Sequence, residues 1–143
     1  MTTTPQQRGR KSEAEAAKRF GAKVQPGSGN GSAKNDFLTP ADEPDPISVE
    51  WKSTGSIQYP LRRRDVEAAA RNALIDGRTS LFGIEFTSPR AGVRPLRVVV
   101  MVEDDYLALR DRVSALQAEV DNAHCGEGCD GYDCTFCAQY LVP

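Results

Sequence analysis

Between Ile47 and Lys52 apolar and polar residues alternate: Ile47, Val49 and Trp51 against Ser48, Glu50 and Lys52. This two-residue period predicts a β-strand with two unlike faces, and it places Glu50 and Lys52 side by side on one of them. Upstream, Ser12 to Phe20 is rich in Ala, Glu, Lys and Arg and predicts a short helix. Ser12 and Glu15 match a capping box that would start it near Glu13, and residues 1–9 are expected to be disordered. A short strand is expected around Lys23–Gln25 and another near Asp36–Leu38. Between them Gly27, Gly29 and Gly31 interrupt regular structure. Asp65 to Ile75 predicts a helix with Ala69, Ala70 and Leu74 available for one face. "TSLFGIEF" and "PLRVVVMV" read as two further strands, the second apolar enough to be buried on both faces. Glu103 to Asn122 is the longest predicted helix. The order of elements predicts an α/β fold, a mixed five-stranded sheet flanked by helices.

The 143 residues suit one domain with a substantial core. The longest apolar run, Val98 to Val102, is too short to span a bilayer, so no membrane association is expected. The N-terminal segment lacks the apolar stretch of a secretory signal, which points to a reducing cytoplasm. The net charge of −2 hides an asymmetry. Residues 1–102 hold 16 Lys and Arg against 11 Asp and Glu, while residues 103–143 hold 2 against 9. A mildly basic first part permits a nucleic-acid partner without requiring one.

If the Asp36 strand pairs with the strand that follows it, Asp36 comes beside Glu50 and Lys52. Two carboxylates with a main-chain carbonyl between them suit a hard cation such as Mg²⁺, and a neighbouring lysine could hold or deprotonate a water activated by it. The plain alternative is a turn-capping Asp36 and a solvated Glu50–Lys52 pair.

An Asp followed on the next strand by Glu-x-Lys resembles the PD-(D/E)xK nuclease superfamily. Within it, "RGRKSEAEAAKRFGA", "PGSGNGSAKND" and "VEWKST" look like the phage and archaeal Holliday junction resolvases. The resemblance implies a restriction-endonuclease-like core over 1–102, with Glu13, Asp36 and Glu50 as acidic catalytic or metal-binding residues and Lys52 as the catalytic lysine. It implies Mg²⁺ or Mn²⁺ held by Asp36 and Glu50, branched DNA as substrate and a homodimer, acting in the host cytoplasm if the chain is phage-encoded. Asn35 stands where the family name has proline, and Glu15 competes with Glu13 as the helix acid. A nuclease for ends, flaps or mismatches, and a non-catalytic zinc-stabilised binding module, are the competing readings.

In the glycine loop, Ser28, Asn30 and Ser32 offer donors for a phosphate, though such a loop also serves as a flexible turn. Lys34 and Arg62, Arg63 and Arg64 would extend a DNA-binding surface, an assignment resting mainly on the resemblance. The tail 124–143 carries all four cysteines, Cys125, Cys129, Cys134 and Cys137, spaced C-x3-C-x4-C-x2-C. In a reducing compartment this set predicts a compact structural zinc site, with free or redox-active thiols as the alternative. His124 is a fifth candidate ligand. Across the helix assigned to 103–123, Tyr106, Leu109, Val113, Leu116 and Val120 recur at spacings of three and four. That stripe is either a homodimer seam or a face packed on the chain's own sheet.

Overall fold

A computed structural model describes residues 4–26, 34–88, 90 and 92–124, without the side chains of 121–124. The chain divides into two compact units, Met1–Asp105 and Tyr106–Pro143. The elements run α1 (Pro5–Arg19), β1 (Lys23–Val24), β2 (Phe37–Leu38), β3 (Ile47–Thr54), α2 (Arg63–Ile75), β4 (Thr79–Phe86), β5 (Leu96–Val100) and α3 (Glu103–His124). The five strands form one mixed sheet in the order β1-β2-β3-β4-β5, so the fold is α/β as expected.

α1 begins eight residues before the start the sequence suggested. Thr4 is its N-cap, Pro5 fills the first turn, and the Thr4 and Gln7 side chains cap each other's backbone N–H groups. Residues 5–9, expected to be disordered, are therefore helical. Ser12 is not a cap but a buried mid-helix residue. Lys18 and Arg19 occupy the last turn, where cations suit the helix dipole. Gly21, at φ 63°, then turns the chain into β1.

β3 and β4 run parallel over eight residue pairs and are joined through α2. β2 is antiparallel to β3, and β5 antiparallel to β4. β4 is the enclosed strand, buried from Ser80 through Glu85. β5, expected to be buried on both faces, instead exposes Leu96 through Val99. It lies at the sheet edge with a neighbour on one side only, and an apolar run carries no period to reveal that. On α2 the buried residues are Ala69 and Ala73, whereas Leu74 is 78% exposed, against expectation. Five residues beyond Ala69, Leu74 lies well around the helix, while Ala73 stacks on the same face.

The sheet has a core on each face. On one, Ala16 and Ala17 of α1 pack with Phe37, Val49, Trp51 and Leu81. On the other, Ala69 packs with Phe82 and Ile84, flanked by Tyr59 and Val66. The Trp51 ring packs over Gly83, its partner across the β3–β4 ladder. A Cβ added at residue 83 would come 2.1 Å from Trp51 Cε3, so glycine there makes room for the ring. In the second unit, α3 carries Tyr106, Val113, Leu116 and Val120 as exposed residues.

Candidate active site

β2 pairs with β3 through only two residues, Phe37 with Val49 and Leu38 with Ser48. Just outside that ladder Asp36 donates its N–H to the Val49 carbonyl at 2.9 Å. Its carboxylate then substitutes for a ladder acceptor, with Oδ2 taking the Trp51 N–H at 2.7 Å. Asp36 is buried and fixed against the middle of the Glu50-Trp51-Lys52 run. The short pairing thus seats a carboxylate at the opening between two strands.

The pleat of β3 turns Glu50 and Lys52 to the face opposite Trp51, and the Lys52 ammonium donates a hydrogen bond to Glu50 Oε1. From α1, Glu13 comes within electrostatic range of Asp36, Glu50 and Lys52. Burial and then Asp36 push the Glu13 carboxyl above its ordinary value of 4.5, with Glu50 adding to this and Lys52 and Arg10 opposing. Burial also raises Glu50, helped by Asp36 and Asp65 against its bond to Lys52. For Lys52 burial works against the charge, but the Glu50 hydrogen bond and the surrounding Glu50, Asp36 and Tyr59 outweigh it. The ammonium is held above 10.5. Glu15 is exposed and faces Lys11 at 3.9 Å, so Glu13 is the helix acid that feels the other three.

Of two further neighbours, the sequence reading names Asn35 only as a replacement for proline and does not name Tyr59. Asn35 is 1% exposed; its Nδ2 donates to Ser48 Oγ at 2.7 Å and to the Ala69 carbonyl at 3.0 Å, and its Oδ1 accepts from Asn72 Nδ2 at 3.2 Å. It ties the approach to Asp36 to both β3 and α2, a task proline lacks the groups for. Tyr59 packs on Phe82 with the rings tilted and their centroids 6.2 Å apart, and it lies in the field of Lys52, Asp65, Glu50 and Arg62. Burial first, then Asp65 and Glu50, raises its hydroxyl against Lys52 and Arg62. Its place shortly before α2 was the one available signal.

Lys34 is exposed beside Asn35. Arg62 precedes α2 in extended conformation, Arg63 pairs with Glu67 at 2.7 Å, and Arg64 lies 3.5 Å from Asp65. Ser28, Asn30, Ser32 and the four cysteines lie outside the described residues, as does the side chain of His124. Among the described residues no three acidic, His or Cys side chains are gathered tightly enough to cage a metal ion. The donors of Asp36 and Glu50 are nonetheless the hard oxygens Mg²⁺ takes, and Mg²⁺ characteristically binds through one or two carboxylates and keeps its waters. A cavity of about 720 Å³ lies away from these groups, lined by residues that include Arg8, Lys11, Ser12, Glu15, Glu85 and Arg97. No described helix is long and apolar enough to cross a membrane.

No protein-family model matches the chain, and no curated protein matches it. Among solved structures it is similar to Hjc of Archaeoglobus fulgidus, a Holliday junction resolvase from an archaeal hyperthermophile. Identity is 16%, the match covers 68% of this chain and 89% of that one, and the TM-score is 0.45. This likeness is distant, and the functional reading rests on the residues themselves.

Proposed function

We propose that the chain is a metal-dependent DNA endonuclease acting on branched DNA, with the four-way junction as preferred substrate. The observation that carries the reading is that Glu13, from α1, lies within electrostatic range of Asp36, Glu50 and Lys52 on two further segments, with both glutamates pushed up by burial and by Asp36. Functional sites gather like charges at such a cost when a ligand relieves it. Asp36 and Glu50 would hold Mg²⁺ or Mn²⁺, which when bound supplies positive charge to a scissile phosphate and acidity to a water. The Lys52 ammonium stays charged at neutral pH, so it donates a hydrogen bond to the attacking water or a phosphate oxygen and does not serve as the base. Glu13 adds a proton acceptor from the side of α1. The preference for a junction, and with it a homodimer able to cut two strands, comes from the sequence resemblance.

Purified protein incubated with four-way junction, duplex, flap and single-stranded DNA, with and without Mg²⁺, tests the proposal. Mg²⁺-dependent cleavage of the junction above the other forms is expected. Equal or better cleavage of a flap or an end would redirect the substrate, and no cleavage of any form would remove the enzyme reading.

A further inference from the structure

Glu85 belongs to the opposite face of the sheet from Glu50 and Lys52, yet it is only 4% exposed. A carboxylate buried so far must have its lone pairs engaged. Oε1 accepts the Ser12 hydroxyl at 2.6 Å, and Oε2 accepts Arg97 Nε at 2.7 Å with Arg19 at 3.9 Å. Ser12 Oγ in turn accepts Trp51 Nε1–H at 2.9 Å. A serine inside a helix commonly bonds back to its own backbone; this one spans from α1 to β4 and β3 at once.

The bonded residues flank the candidate acids. Ser12 precedes Glu13, and Trp51 separates Glu50 from Lys52 while giving its main-chain N–H to Asp36. α1 otherwise meets this core through Ala16 and Ala17, with Phe20 at its end, and through Arg19, whose long, partly exposed side chain reaches Glu85 and the Trp51 ring. Alanine contacts are smooth and constrain a helix's rotation weakly, whereas hydrogen bonds are directional.

We propose that Ser12 is a positioning residue whose paired bonds to Trp51 and Glu85 set the rotation of α1 on the sheet, and so where Glu13 meets Asp36 and Glu50. The catalytic consequence rests on the nuclease reading; the setting of the helix does not. Ser12→Ala and Trp51→Phe each delete one end of the Ser12–Trp51 bond and keep all four candidate site residues chemically unchanged. Each should lower the Mg²⁺-supported cleavage rate by about 10- to 100-fold, the scale of a misplacement near 1 Å. DNA affinity measured with Ca²⁺ in place of Mg²⁺ should stay within about twofold. The double variant should lose clearly less than the product of the two single losses, because Ser12→Ala already removes the one bond that Trp51→Phe deletes, together with the Ser12–Glu85 bond; losses that multiply, or single variants with normal rates, would overturn the proposal. Crystal structures of wild type and Ser12→Ala, without metal or DNA, read the setting directly. Glu13 displaced by about 1 Å from Asp36 supports the proposal, and superposable sites overturn it. If wild type cuts no DNA but Ser12→Ala shows this displacement, the nuclease reading alone ends. Should Ser12→Ala fail to fold, Trp51→Phe carries both measurements.

Discussion

Lys52 keeps its charge where burial alone would favour losing it, because Glu50 accepts a hydrogen bond from its ammonium and the charges of Glu50 and Asp36 favour the cation. Its raised value implies stability that is full below 10.5 and lost as pH climbs through the folded value. Glu13 has a linkage of the same sign at lower pH. With a folded value above 4.5, its contribution is full below 4.5 and is lost as pH rises through the raised value. Glu13→Gln, which imitates the protonated acid, should therefore gain stability over wild type on going from pH 4.5 to 7.5 in chelator. Thermal unfolding at the two pH values checks this; a gap that does not widen would mean the carboxyl is not strained. The same variant should lose far more cleavage activity than Glu15→Gln. Asp36→Asn should abolish cleavage with DNA binding retained, and Lys52→Ala should cost about 10²- to 10⁴-fold.

At the scale of elements, two small residues carry the join between strands and helices. Gly83 leaves room for the Trp51 ring against β4, and that ring is held by Phe20 at 6.3 Å, Phe37 at 6.2 Å and the Ser12 bond. Arg19 adds a cation over its face at 5.5 Å. Gly83→Ala has no space to enter, since overpacking a fixed ring costs about 1–3 kcal/mol or more. It should lower the urea midpoint sharply or prevent folding. Asn35→Ala removes three hydrogen bonds that connect β2, β3 and α2 and strands buried partners, a cost of about 1–3 kcal/mol. It should lower the midpoint and loosen Asp36 as well, so cleavage should fall even at temperatures where the variant is folded.

For the whole molecule, assembly and metal content are the open physical quantities. Exposed Tyr106, Val113, Leu116 and Val120 on α3 make a stripe of the kind that closes a two-stranded seam. Leu109→Glu with Leu116→Glu should convert a homodimer to a folded monomer in analytical ultracentrifugation. An unchanged dimer would locate the interface elsewhere, and general unfolding would return the stripe to the chain's own fold. The tail should bring about one zinc per chain, the expectation for a four-thiolate set. Elemental analysis of reduced protein, and of variants with Ser at Cys125, Cys129, Cys134 or Cys137, checks it; wild type without zinc would leave ordinary thiols.

The order of helices and strands, and the shared face of Glu50 and Lys52, were legible in the sequence because both follow from local periods. A pleat alternates every two residues and a helix returns every 3.6, whatever the rest of the chain does. The start of α1 was also written locally, in Thr4-Pro5 and Gln7, but Ser12 and Glu15 presented a competing cap. Local pattern could not tell that Ser12 is buried or that β5 is an edge. It could not find the seat of Trp51 on Gly83 or the three bonds of Asn35. Those properties are decided by partners brought close through space, 34 residues apart for Asn35 and Ala69 and 73 for Ser12 and Glu85. A hydrogen bond or a close-packed ring depends on distances of a few ångströms, which tertiary structure sets and neighbours along the chain do not.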